Sequence, residues 1–358
     1  MKTYISGSIN TKSDFYVEYK PNNSHKIKIV LNSKNNLLFG SRINELCLQV
    51  CKDLNISGGD FIINDNGGQY FTLQARIESS IKSAWPNIKS ESLPGLKQHS
   101  IYKSKKNRLR RSRLYIPGNQ AKLMLNAGIH KPDGIILDLE DSVSQSEKNS
   151  ARLIVRNALR HLNFFGAERM VRINQAELGL TDLESIIPHN VHLILIPKVE
   201  KASELIEFDR KIMQLSKECG RKDPVYLMPI LESASGILNA FQIANASKNN
   251  VAIAIGLEDY TADIGVERTN EGKESLFARS QLINAARSAN IQAIDTVFSD
   301  VNDEKALRLS VKEAKNLGFD GKGCIHPRQI KPIHEEFAPS STQIEKAKNI
   351  VLAFDEAK

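Results

Sequence analysis

Eight short apolar runs, each followed by a loop and a stretch of helical spacing, fill the chain from Ser112 onward. They predict an α/β fold of the (β/α)8 TIM-barrel class. Two further observations support that class. No Gly-x-Gly-x-x-Gly follows any of the runs, which sets aside a doubly wound nucleotide-binding sheet. Residues 1–88 are patterned differently and predict a small α+β unit in front of the barrel.

In that front unit, alternation over 15–19 and 26–31 predicts two antiparallel strands joined by the Pro21-Asn22-Asn23-Ser24 turn. Ile43, Leu46, Cys47 and Val50 have helical spacing, and Gly58-Gly59 ends that stretch. Residues 61–64 return to strand, Asn66-Gly67-Gly68 turns the chain, and 71–85 predicts a strand merging into an amphipathic helix. The unit holds no acid/base pair, metal-ligand spacing or nucleotide loop, so it predicts a binding or carrier module.

Residues 89–110 form a basic linker, and 97–113 hold eight Lys or Arg and no acid. The alternative, a nucleic-acid arm, is disfavoured by the scarcity of aromatics. A solvated, flexible linker able to span several tens of ångströms is the expectation. Beyond it, residues 111–358 carry predicted strands at 114–116, 134–139, 170–173, 192–196, 225–230, 251–255, 293–295 and 323–325. Helical stretches fall at 146–162, 201–218, 235–247, 276–289 and 304–317.

The 358 residues suit a barrel with an extension, and 41% hydrophobic with 25% charged residues is ordinary globular composition. No apolar run approaches the roughly 20 residues of a membrane span, and the start lacks the apolar stretch of a signal peptide. Cysteines at 47, 51, 219 and 324 show neither metal-ligand spacing nor a disulfide framework, which fits a reducing cytoplasm. The net charge of +8 resides largely in the linker. The carboxylates of the barrel invite a cation instead, so neither a nucleic acid nor a membrane is expected as partner.

Those carboxylates mark the predicted site. The run 251–255 ends at Gly256 and leads into Glu258-Asp259. Likewise 135–137 leads into Asp138-Leu139-Glu140-Asp141, and 226–231 into Glu232. Carboxyl ends of parallel strands are where such folds bind ligands, and three acid-tipped ends make a hard-oxygen cage suited to Mg²⁺. The competing reading has Asp141 and Asp259 capping the helices that follow. Cys324 and His326 are two apart beside Pro327, but no third group orients them, so a core thiol and a structural histidine are expected.

The stretches Arg111-Ser112-Arg113-Leu114-Tyr115-Ile116-Pro117-Gly118, Leu137-Asp138-Leu139-Glu140-Asp141-Ser142-Val143 and Val171-Arg172-Ile173-Asn174 resemble motifs of the citrate lyase β subunit. So do Ile196-Pro197-Lys198, Gly256-Leu257-Glu258-Asp259-Tyr260, Ser275-Leu276-Phe277-Ala278-Arg279 and Pro327-Arg328-Gln329-Ile330. The wider family includes malyl- and citramalyl-thioester lyases. Residues 1–88 more weakly resemble the γ subunit, its acyl carrier protein, at Gly7-Ser8-Ile9 to Asp14 and Leu73-Gln74-Ala75-Arg76-Ile77-Glu78.

The resemblance implies a Mg²⁺-dependent lyase that cleaves a citryl thioester carried on its own front unit to oxaloacetate and an acetyl thioester. Glu232 and Asp259 would be metal ligands, Arg172 would grip the substrate carboxylate, and Glu232 would also face substrate. Glu140 and Asp141 would orient water or substrate, with a helix cap and a solvated neighbour as the alternative. Glu258 would stand behind the ligands, and Lys198 would aid anion binding or join an ion pair. The family's attachment serine maps to Ser13, with Ser8 and Thr11 as alternatives, because the 7–14 loop is one residue longer than the family pattern. The implied prosthetic group is 2′-(5″-phosphoribosyl)-3′-dephospho-CoA. The implied partners are an α-like acyl transferase subunit and further copies of the chain in a trimer-type homo-oligomer. Family β subunits carry an aspartate in a Val-Asp-Gly-Pro-like lid motif; none occurs up to Lys358, which leaves the proton-transfer residue unassigned. A lyase for malyl or citramalyl thioesters, and a non-catalytic scaffold, are the other two readings.

Overall fold

The structure is a computed structural model that describes residues 2–269 and 271–357; Met1, Asn270 and Lys358 lie outside the described residues. The N-terminal unit comprises β1 (Tyr4–Ser6), β2 (Phe15–Lys20), β3 (Ile27–Ser33), α1 (Asn36–Asp53), β4 (Gly59–Asp65) and α2 (Tyr70–Ala84). Its sheet runs β1-β2-β4-β3. The expected pairing of the first two long strands is therefore wrong. β4 lies between them, antiparallel to β2 and parallel to β3. The 18-residue helix α1 is the reason: it supplies the crossover that a parallel pair requires, and this slots β4 into the centre. Phe15, Val17, Phe61 and Ile63 face α1 and α2, whose Ile43, Cys47, Val50, Leu73, Ile77 and Ile81 complete the core.

The strand expected at the start of 71–85 is absent; α2 is helical from Tyr70. Leu73, Ile77 and Ile81 recur every fourth residue, and that period overrides the β-propensity of Phe71-Thr72-Leu73. Every residue from Phe71 to Ile81 is buried, because α2 lies between its own sheet and the barrel.

The barrel strands are β5 (Ser112–Pro117), β6 (Gly134–Asp138), β7 (Glu168–Arg172), β8 (Leu193–Ile196), β9 (Tyr226–Leu231), β10 (Ala252–Ile255), β11 (Gln292–Asp295) and β12 (Gly321–Cys324). They close in the order β10-β11-β12-β5-β6-β7-β8-β9, all parallel. Ile136, Met170, Leu195, Met228 and Ile230 pack inside, while Ile135, Leu137, Val171, Ile194 and Ile253 pack outward against helices. Burial on both faces is what made these runs continuously apolar in the sequence.

The helices are α3 (Ala121–Leu125), α4 (Lys148–His161), α5 (Ala176–Ile186), α6 (Ala202–Glu218), α7 (Ala234–Leu238), α8 (Ala240–Ala244), α9 (Leu257–Asp263), α10 (Leu276–Ser288), α11 (Glu304–Leu317), α12 (Ile330–Phe337) and α13 (Ser341–Glu356). The helix expected over 235–247 is two short ones, broken at Asn239, whose side-chain amide donates to the Glu200 carbonyl at 2.9 Å.

The basic segment before the barrel is not a solvated linker. Arg110 and Glu168, both fully buried, form a two-pronged ion pair at 2.6 and 2.9 Å. The Tyr102 hydroxyl donates to the Ala167 carbonyl at 2.6 Å, and His192 Nε2 lies 2.8 Å from the Tyr102 carbonyl. These contacts fall at the starts of β7 and β8, so the segment straps across the amino-end face of the barrel. Lys103, Lys105 and Lys106 stay exposed, while the arginines turn inward to carboxylates and carbonyls. Arginine carries enough donors to be buried with its charge satisfied.

Candidate active site

A cavity of ≈ 350 Å³ opens at the carboxyl ends of the strands, lined among others by Tyr115, Asp138, Asp141, Arg172, Glu232 and Asp259. Four of the expected site residues, Asp141, Arg172, Glu232 and Asp259, thus meet in one space although they come from four different strand ends. Glu140 lies beside it rather than in its lining: one oxygen accepts from Gln175 Nε2 at 2.8 Å and the other is 2.9 Å from Arg172 Nη1.

Arg172 ends β7. Its Nε and Nη2 grip Asp138 at 2.6 and 2.8 Å, and Nη1 faces Glu140 and, at 3.5 Å, Asp141. The planar edge expected to hold a substrate carboxylate bidentately is therefore occupied by Asp138, and Nη1 is the nitrogen turned to the other acids. Asp138 is the residue that sequence reasoning missed. It was visible as the acid ending β6, but only the closed barrel sets it opposite Arg172 on the neighbouring strand. Burial alone would raise the Asp138 pKa; the bonds from Arg172 and Ser142 more than reverse this and hold it below the ordinary value.

Glu232 follows β9 and is 6% exposed. One oxygen accepts the Lys198 backbone N–H at 3.0 Å. The other packs on Gly256, where an added Cβ would come within 2.3 Å of it. Gly256 therefore ends β10 as a close-approach glycine. Burial, then the nearby Glu140 and Asp259 charges, push Glu232 up to about 8 against the opposing pull of Arg172. Asp259 sits in the first turn of α9, and its Oδ1 lies 3.4 Å from Lys198 Nζ. Neither Asp141 nor Asp259 acts as the N-cap of its helix. Burial opposes the Lys198 charge, but Asp141, Asp259 and Glu140 outweigh it and raise its pKa. Of the two roles expected for Lys198, the geometry is that of an ion pair. Glu258, half exposed at the cavity's edge, is engaged by Arg268 and Ser299.

The donor set fits a divalent cation of the Mg²⁺ kind. Glu232 and Asp259 offer hard oxygens, and the Glu140 and Asp259 charges add to burial in raising the Glu232 pKa, so a cation placed among them would relieve like-charge repulsion. Among the described residues no group of three or more His, Cys, Asp or Glu is arranged to enclose a metal. A cation there would keep positions open for water and substrate.

Cys324 is fully buried, with its thiol pushed up to about 12 by burial, and His326 Nδ1 accepts the Arg328 backbone N–H at 3.1 Å. They are a core thiol and a structural histidine, as expected. In the N-terminal unit, Ser13 has a left-handed backbone (φ 60°), which is uncommon for a side-chain-bearing residue, and its N–H donates to the Asn66 carbonyl at 2.8 Å. Ser8 is exposed and Thr11 half-buried.

A closed (β/α)8 barrel with an arginine and several carboxylates at its strand ends, and a small α+β unit packed outside, defines a barrel enzyme with a fused accessory unit. The chain belongs to the HpcH/HpaI aldolase/citrate lyase family, whose model matches residues 111–327, and it is an enzyme of the oxo-acid lyase type. Residues 1–84 match an acyl-carrier family described as malonate decarboxylase delta subunit (MdcD). Citrate lyase subunit beta of Haemophilus influenzae is 44% identical over 254 residues, covering 70% of this chain and 87% of that protein. The mitochondrial citramalyl-CoA lyase of Mus musculus is 33% identical over 286 residues, covering 74% and 85%. The citrate lyase beta subunit of M. tuberculosis, solved with oxaloacetate and magnesium, superposes with a TM-score of 0.57 at 27% identity, covering 66% of this chain and 100% of that one. No helix among the described residues is long and apolar enough to cross a membrane.

Proposed function

We propose that this chain is a Mg²⁺-dependent lyase that cleaves a citryl thioester, carried on its own N-terminal unit, to oxaloacetate and an acetyl thioester. The observation that carries the reading is the meeting of Glu232 and Asp259 with Arg172 in one cavity. Glu232 and Asp259 would hold the ion, with Lys198 giving way from Asp259. Bound there, Mg²⁺ would supply Lewis-acid stabilisation of the charge on the departing oxaloacetate. Arg172, fixed by Asp138, turns Nη1 toward the substrate carboxylate, which competes with Asp141 for it. Glu140 holds the guanidinium from behind. The hydroxyl proton of the citryl group leaves as the carbon–carbon bond breaks, and a proton returns to the acetyl methyl carbon. The carrier would bear 2′-(5″-phosphoribosyl)-3′-dephospho-CoA on Ser13, or on Ser8 or Thr11, and would be loaded by an α-like acyl transferase within a homo-oligomer of the trimer type. The likeness to citrate lyase beta subunits and to a magnesium- and oxaloacetate-bound relative supports this.

The likeness to citramalyl-CoA lyase favours a second reading, in which the acyl group is citramalyl. Oxaloacetate release from citryl-CoA, set against pyruvate release from citramalyl-CoA, each with Mg²⁺ and with EDTA, separates the two. Absence of Mg²⁺-dependent cleavage of citryl, malyl and citramalyl thioesters alike would overturn both. Intact mass of protein from its native host tests the prosthetic group.

A further inference from the structure

The loop that follows β1 is pinned at both ends to the catalytic end of α4. At one end, Ser6 Oγ lies 2.9 Å from Ser150 Oγ in the first turn of α4. At the other, Asp14 takes Nε and Nη2 of Arg76 at 3.2 and 2.6 Å, and Arg76 Nη1 donates to the same Ser150 Oγ at 2.7 Å. All four side chains are buried, with Asp14 and Arg76 each 2% exposed. Two residues before Ser150, Lys148 Nζ donates to the carbonyls of Leu139 and Glu140 at 2.7 and 2.6 Å. The clamp is thus one short step from the segment that carries Glu140 and Asp141. Between its pinned ends the loop is open, with Ser8, Ile9 and Asn10 exposed.

The rest of the unit is held as firmly. Glu78 of α2 and Arg156 of α4 form a two-pronged pair at 3.0 and 2.6 Å, both side chains fully buried. Phe71 and Ala75 of α2 belong to the barrel's own apolar core. Undocking would break that pair and expose Phe71 and Ala75 to water, and the lost apolar burial opposes it.

We propose that the N-terminal unit stays docked on its own barrel through turnover, and that a thioester arm on the 7–14 loop serves the cavity of the same chain. This rests on the reading of that unit as a thioester carrier. The unit is a fixed post, and the arm alone moves. Ser8 is two residues from Ser6, Ser13 is one from Asp14 and Thr11 is three from Asp14, so any of the candidate attachment residues lies within about 4–11 Å of chain from a clamped position.

A Ser6→Cys/Ser150→Cys chain in a Cys219→Ser background tests this, since the other three native cysteines are buried. Oxidation should yield an intrachain disulfide in nearly all molecules, and the locked enzyme should turn over its tethered thioester within twofold of the reduced one. Crosslinks only between chains, or a loss beyond tenfold that reductant restores, would overturn the proposal. Co-expressing a chain that mass spectrometry shows cannot be loaded (Ser13→Ala, Ser8→Ala or Thr11→Ala) with an Asp259→Asn chain should give mixed oligomers without tethered turnover. Recovery of turnover in those oligomers would mean delivery between chains and would also overturn it. If reduced and locked enzyme alike cleave no thioester, the lyase reading fails, while the crosslink pattern still decides the docking.

Discussion

Arg172→Lys separates the roles that the site gives this residue. The wild-type guanidinium holds both Asp138 oxygens, at 2.6 and 2.8 Å, while Nη1 lies 2.9 Å from Glu140. A lysine ammonium keeps the charge as a single point, so it can hold one Asp138 oxygen but not span to Glu140 and the cavity as well. A hydrogen bond to a charged group contributes about 1.5–3 kcal/mol, and the variant loses one such bond with part of a second. The expected loss of transition-state stabilisation is about 2–4 kcal/mol, a fall of roughly 30- to 900-fold in kcat/KM. The assay is oxaloacetate release from citryl-CoA at saturating Mg²⁺, coupled to NADH oxidation by malate dehydrogenase, with thermal melting run alongside. A melting temperature near wild type with the expected loss supports the site role. Wild-type kcat/KM would refute the reasoning, because the fork would then have no bearing on the substrate.

Asp259→Asn should make oxaloacetate release undetectable while the melting temperature without Mg²⁺ holds or rises, since Glu232 loses a repelling neighbour; full activity would remove Asp259 from the metal site. Gly256→Ala drives a methyl into Glu232 Oε1 and should destabilise the chain by about 1–3 kcal/mol in urea unfolding, with a weakened response to Mg²⁺. Glu78→Gln leaves Arg156 buried with half its pairing, and should cost about 3–5 kcal/mol and expose the stretch at Glu91 and Ser92 to proteolysis; an unchanged urea midpoint would contradict the buried pair. Burial and nearby arginines lower the pKa of His189 and of His192 to about 3, though a backbone hydrogen bond partly opposes this at His192. Both are therefore held neutral in the folded state, and their contribution is complete above the unfolded pKa near 6.5 and is lost as pH falls toward 3. The unfolding free energy from urea titrations should drop between pH 6.5 and 5.5 by about 1 kcal/mol per histidine, and His189→Gln should flatten that drop.

The barrel was legible because each of its strands is buried on both faces. A run such as Ile135, Ile136 and Leu137 leaves no polar alternation to confuse it with a surface element, and the acid or glycine behind each run marks its end. The acids lining the cavity were legible for the same reason, since Glu232 follows directly on such a run and Asp259 lies just past the glycine that ends another. The order of strands in the front sheet was not. β2 and β3 each read correctly as strands, but pairing is a contest among three edges, and the crossover through α1 placed β4 between them. Residue type and local period also did not reveal which charges are buried. Arg110, Glu78 and Arg156 look like solvated residues until Glu168 and the packed face of α4 are brought to them across 58 to 78 positions of sequence.

By itself, then, the chain's pattern determined a (β/α)8 barrel, a small α+β unit ahead of it, and a set of acids at the strand ends, because burial and periodicity are local properties. Only the tertiary structure decided that Asp138 occupies the fork of Arg172, that the basic segment is a strap, and that the 7–14 loop is pinned to α4. Each of these depends on a partner far away in sequence, and a charged side chain shows its role only when that partner and the loss of water around it are known.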